Sequence, residues 1–184
     1  MTLDRRAPGR TLVTGGARSG KSAWAEQQLL EAPAVDYLAT SEVRNDDAEW
    51  GRRVAIHRLR RPAGWSTIET LDIASELRKE SEAALLVDCL AVWMARTLDE
   101  VEAWTRPVEE FMPELDDRTH DLVAAVRESS RDVIMVTNEV GLGIVPESPG
   151  TRLYRDELGR LNARIAAECD DVWFCVVGIP RRVK

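Results

Sequence analysis

The segment Leu12-Val13-Thr14-Gly15-Gly16-Ala17-Arg18-Ser19-Gly20-Lys21-Ser22 decides how the rest of the chain is read. LVT (12–14) is an apolar strand. Gly15 to Ser22 satisfies G-x-x-x-x-G-K-[ST], and Lys21 to Glu31 follows as a helix that stops near Pro33. Glycines let the backbone curl with its N–H groups turned inward. With the helix N-terminus those groups form a nest for phosphate anions. Lys21 is placed to reach the β- and γ-phosphates of a nucleoside triphosphate, and the Ser22 hydroxyl to ligate Mg²⁺.

Working outward, short apolar runs alternate with longer amphipathic ones. VDYLAT (35–40), WSTIET (65–70), ALLVD (84–88), VIMVTN (133–138) and VWFCVV (172–177) read as strands, the last being the final one. Asn45-Asp46-Asp47 signals a helix start, and that helix runs to about Arg61, before Pro62. ASELRKES, CLAVWMARTL and LYRDELGRLNARIAAEC read as further helices. Residues 99–120 read as an acidic loop entering a helix that ends near Ser130, and GLGIVPESPG as a loop. Strands apolar throughout are covered on both faces, the habit of parallel sheets. The expected fold is α/β, three-layered and mostly parallel, with ligands at the carboxyl ends of the strands.

Composition bounds the rest. The chain has 184 residues, enough for one domain with a real core; residues 1–10 read as a loose leader and 11–184 as a single domain. A net charge of −7 argues against coating nucleic acid, which needs a basic face. No apolar run is long enough to span a membrane, and MTLDRRAPGR lacks the apolar core of a secretory signal. Cys89, Cys169 and Cys175 match no zinc or redox spacing and read as buried thiols of a reducing cytoplasm.

A phosphate cradle wants an acid at the end of a neighbouring strand. Asp88 ends ALLVD and serves either as that Mg²⁺-organising acid or as the cap of the next helix. Thr137-Asn138-Glu139 ends another strand and could sense the γ-phosphate, orient a substrate, or merely cap. His57 shares a helix face with Trp50 and Val54, which suits a half-buried structural histidine. It also stands among Arg52, Arg53, Arg58, Arg60 and Arg61, which suits an imidazole nucleophile held near phosphates. Chemistry alone does not choose between these. His120 lies in the acidic stretch and is expected to face solvent.

LVTGGARSGKS, YLATSE, HRLRRPAGWSTIE, LLVDCLAVW, VTNEVGLGIVPE and RLYRDELGRLN, in that order, resemble the bifunctional adenosylcobinamide kinase / adenosylcobinamide-phosphate guanylyltransferase family of cobalamin biosynthesis. The likeness covers nearly the whole chain from Thr11. It implies a RecA-like P-loop fold and a homotrimer. It implies ATP or GTP as co-substrates with Mg²⁺, and two reactions: phosphorylation of adenosylcobinamide, then transfer of GMP from GTP to its phosphate through a guanylylated histidine, here His57. The nucleotide contacts it implies are Gly15, Gly16, Ala17, Arg18, Ser19, Gly20, Lys21, Ser22, Ala39, Thr40, Ser41, Arg58, Leu59, Arg60, Arg61, Glu69 and Asp88, with Ser22 and Asp88 on the metal. Leu71 stands where the family pattern has a proline and Ala91 where a threonine is common.

Overall fold

The structure is a computed structural model that describes residues 9–41 and 61–184. The helix expected from Asn45 lies outside the described residues, and so do His57, Arg58, Leu59 and Arg60.

Among the described residues, seven strands form one sheet: β1 Arg10–Gly15, β2 Val35–Ala39, β3 Ser66–Glu69, β4 Ala84–Asp88, β5 Val133–Val136, β6 Asp171–Val176 and β7 Ile179–Arg182. Their order is β3-β2-β4-β5-β1-β6-β7, and only β6–β7 is antiparallel. The strand ending in the glycine loop is thus separated from the strand ending in Asp88 by β5. The described helices are α1 Lys21–Gln28, α2 Ile73–Arg78, α3 Leu90–Glu100, α4 Val108–Glu128 and α5 Pro149–Glu168.

The pleat sorts neighbouring residues into two cores. Leu12, Leu38, Leu85, Val87, Val133 and Met135 face α2, α3, α4 and α5. Val13, Tyr37, Leu86, Ile134, Val136 and Cys175 face the side that carries α1, with Trp24 and Trp65 at its margin. Both faces are therefore buried, which is why these strands read as unbroken apolar runs. Burying one such side chain contributes about 1.5–3 kcal/mol.

The structure corrects four local readings. α1 ends at Gln28 rather than Glu31, because the Leu29 and Leu30 N–H groups turn back to Glu26 O and Gln27 O in a closing turn. α4 begins at Val108, inside the stretch read as loop; Phe111, Leu115, Thr119, Leu122 and Val126 form its buried stripe despite Pro113 and the surrounding acids. α5 begins at Pro149, with the ring at a position where no N–H is needed. Finally, β6 is not the last strand: β7 follows it. Val177 and Gly178 make the two-residue turn between them, with φ of 46° and 81°, the positive pair that such hairpins require. His120 is exposed on α4, as expected.

Candidate nucleotide site

The glycine loop leaves β1 in the middle of the sheet and runs into α1 at Lys21. Two of its glycines are sterically necessary. A Cβ on Gly15 would stand 2.5 Å from the Cys175 carbonyl oxygen. Gly20 has φ +93°, and a Cβ there would lie 3.1 Å from Gly178 Cα. The Gly178 N–H donates to Ser19 O at 2.9 Å, so the β6–β7 turn braces the loop from outside.

Gly16, Ala17, Arg18 and Gly20 are exposed, while Ser19 and Lys21 are buried. Lys21 Nζ donates to Gly16 O at 3.2 Å, holding the ammonium across the mouth of the loop. Burial holds its pKa below the ordinary lysine value, partly offset by the nearby Asp88. The Ser19 and Thr14 hydroxyls are buried without hydrogen-bond partners among the described residues. A buried unpaired hydroxyl costs about 1–3 kcal/mol, so the loop end carries unspent polar capacity.

Asp88 ends β4 one strand beyond β5, and the fold brings it to the loop. Its Oδ1 lies 3.4 Å from Ser22 Oγ, and its Oδ2 accepts a 2.8 Å hydrogen bond from the Tyr37 hydroxyl on β2. Two hard oxygens so close together fit an octahedral Mg²⁺, which takes one or two protein ligands and completes its shell with water and phosphate oxygens. No cluster of three or more His, Cys, Asp or Glu stands among the described residues, and an ion of this type needs none. The helix-cap alternative for Asp88 does not hold. Cys89, not Asp88, is the N-cap residue of α3, and it makes no side-chain cap. Burial together with Asp88 pushes the Cys89 thiol up to about 12, so it is no nucleophile at neutral pH.

Other expected residues gather around the same strand ends. Ala39 lies beside Asp88 in register, and Thr40 Oγ1 bridges the Cys89 carbonyl (2.9 Å) and N–H (3.1 Å). Thr40 thus ties β2 to β4 and is fully buried. Arg96 Nη1 donates to Thr40 O at 3.1 Å, and Ser41 follows, half-buried. Arg61 stacks its guanidinium 3.2 Å from the centre of the Tyr37 ring. Glu69 ends β3 opposite Ala39, at the far side of this group. Thr137 is committed to structure: its hydroxyl donates to Asn162 Oδ1 at 2.7 Å, and Asn162 Nδ2 donates to Asn138 O at 3.1 Å. The Glu139 N–H donates to Gly15 O at 3.1 Å, joining the end of β5 to the loop. Sequence reasoning missed Tyr37 and Asn162; a lone tyrosine in an apolar strand was the available signal, since a buried phenol needs a partner. A cleft of about 280 Å³ between α2, α3 and α4, lined by Ile73, Trp93 and Leu122 among others, holds none of the expected site residues.

A glycine loop at the carboxyl end of a central parallel strand, a lysine across its mouth and a serine–aspartate pair beside it define an α/β P-loop nucleotide-binding protein. Within that class, the chain belongs to the cobinamide kinase / cobinamide phosphate guanyltransferase family, which matches residues 11–183. It is 42% identical over 179 residues to the bifunctional adenosylcobalamin biosynthesis protein CobP of Pseudomonas aeruginosa, covering 95% of this chain and 97% of the relative. It is 40% identical over 182 residues to the bifunctional adenosylcobalamin biosynthesis protein CobU of Salmonella typhimurium, covering 94% and 98%. A solved Pyrococcus horikoshii OT3 protein superposes with a TM-score of 0.51 at 9% identity, over 98% of this chain and 88% of that one, and supports the α/β fold alone.

Proposed function

We propose that this chain phosphorylates adenosylcobinamide with ATP or GTP and then transfers GMP from GTP to the new phosphate, giving adenosylcobinamide-GDP and pyrophosphate. The observation that carries the reading is Lys21 across the glycine loop with Ser22 Oγ 3.4 Å from Asp88 Oδ1, in a chain of this family.

In the first reaction the acceptor hydroxyl oxygen bonds to the γ-phosphorus, the bond from that phosphorus to the β–γ bridging oxygen breaks, the nucleoside diphosphate leaves, and the hydroxyl proton is released to water. The loop N–H groups and Lys21 hold the phosphates and offset their charge. Mg²⁺ at Ser22 and Asp88 would neutralise charge on the β- and γ-phosphates. In the second reaction the His57 imidazole bonds to the α-phosphorus of GTP and pyrophosphate leaves. An oxygen of the cobinamide phosphate then displaces the imidazole from the same phosphorus. Two in-line displacements give net retention at phosphorus. Arg58, Arg60 and Arg61 offset charge on the triphosphate, with Leu59 between them. Chain length alone supports the pairing. His57 is four residues from Arg61, a reach of at most about 14 Å between Cα atoms, and Arg61 sits on the tyrosine bonded to Asp88.

The finer expectations belong here too. Residues 11–184 form one domain carrying both activities and assemble as a homotrimer, which the particle mass in solution tests. Three free thiols fit the cytoplasm, and no described helix is long and apolar enough to cross a membrane.

The decisive experiment is incubation with α-³²P-GTP. Acid-labile, alkali-stable label on the wild-type protein, absent from His57→Ala and chased off by phosphorylated cobinamide, is the expected result. His57→Ala should keep the kinase reaction. An active guanylyltransferase that never takes label, or a His57→Ala variant that still transfers GMP, overturns the histidine route.

A further inference from the structure

We infer that Tyr37 is a positioning residue for the kinase metal site. Its hydroxyl locks the Asp88 carboxylate so that one oxygen is presented to Ser22. The inference rests on the reading of Ser22 and Asp88 as metal ligands.

A free aspartate rotates, and either oxygen can face the loop. Here the two oxygens are distinguished. Oδ2 accepts from the Tyr37 hydroxyl at 2.8 Å, and Oδ1 is left 3.4 Å from Ser22 Oγ. Tyr37 itself cannot move far. It is 3% exposed in the core on the α1 side of the sheet, in a strand whose Leu38 and Ala39 pair with Val87 and Asp88. The outer face of its ring carries the Arg61 guanidinium, whose Nη1 also donates to Thr67 Oγ1 at 3.1 Å. One buried phenol therefore connects the carboxylate to the last residue of the arginine-rich segment 57–61. Such outer partners hold a ligating oxygen in place before the ion arrives, and losing one typically weakens metal binding by roughly 10–100-fold.

The test uses Tyr37→Phe, which removes the hydroxyl and keeps the ring under Arg61. A fluorescent ADP analogue is titrated with and without Mg²⁺, and Mn²⁺ binding to the protein–ADP complex is followed by electron paramagnetic resonance. Tyr37→Phe should bind the analogue as wild type does without metal, lose about tenfold in Mn²⁺ affinity, and need correspondingly more Mg²⁺ for half-maximal phosphorylation. Wild-type Mn²⁺ affinity in Tyr37→Phe overturns the inference. So does an equal loss of nucleotide affinity with and without metal, which would mark a general packing role. Asp88→Asn separates the levels. If it abolishes Mn²⁺ binding while Tyr37→Phe is silent, only the positioning role fails. If Asp88→Asn also leaves Mn²⁺ binding intact, the metal-site reading fails with it.

Discussion

The two ends of the same sheet are built on opposite terms. At the amino ends, charge is spent on structure. Arg131, with a side chain only 1% exposed, pairs with Asp36 and donates to the Ala83 and Glu76 carbonyls. Burial pushes the Asp36 carboxyl up, but hydrogen bonds from Ser66 and Arg131 more than reverse this and leave it below its ordinary value. Asp132 accepts from the Gly9 N–H at 2.7 Å, and Asp170 accepts from the Arg10 backbone and side chain. At the carboxyl ends, capacity is held back. Lys21 is buried, Ser19 and Thr14 have hydroxyls unpartnered among the described residues, and Gly16, Ala17 and Arg18 leave the loop exposed. One end lowers the free energy of the folded chain; the other is completed only by an anion.

The largest effect that could break this contrast is at Lys21. Lys21→Ala should lower kinase turnover on the order of 10³-fold, while the melting temperature holds or rises, since a buried cation is removed. A steady-state assay beside a thermal melt checks both; a large fall in melting temperature would erase the distinction. At the other end, Arg131→Met strands Asp36 and the Ala83 and Glu76 carbonyls. It should cost about 3 kcal/mol in urea unfolding while the folded fraction binds nucleotide normally.

Gly20→Ala sits where the regions meet. Its positive φ costs about 1–2 kcal/mol with any side chain, and the Cβ presses on Gly178, so stability and nucleotide affinity should fall together. The effect of pH sharpens the contrast further. Lys21 has a folded pKa below the 10.5 of the free side chain. Between those values the unfolded chain holds more protons, so stability rises with pH. Phosphate binding needs the cation, so nucleotide affinity should fall as pH climbs through the same window; calorimetric titrations across it read both trends. The smallest effect is at Asp170, whose carboxyl is held below 3.8 first by the Arg10 N–H and then by its side chain. Its stabilisation is full above pH 3.8 and fades as pH falls through the lower folded value. Because the Asp170 carboxylate is half exposed, Asp170→Asn should cost about 1 kcal/mol or less at neutral pH, and acid unfolding should show the difference shrinking.

Legibility followed the physics of each element. The parallel sheet was readable because strands covered on both faces must be apolar throughout. α4 was obscured because seven acidic residues and Pro113 outweigh its five-residue buried stripe to the eye. β7 was missed because an antiparallel edge strand such as IPRR can be charged and contain proline without cost. Ser22 and Asp88 were readable as a pair because each ends its own motif. Tyr37 was not, because a tyrosine's partner across a strand has no sequence spacing.

The order of residues by itself determined the anion-binding loop, the strand-then-helix rhythm and the identity of the charged groups, since these depend on local backbone freedom and on periodic burial. Only the tertiary structure decided that β5 lies between the loop strand and the Asp88 strand, that Tyr37 divides the carboxylate's two oxygens, and that a terminal hairpin props Gly20. Those facts arise from contacts between residues tens of positions apart, and side-chain packing rather than local pattern sets such distances.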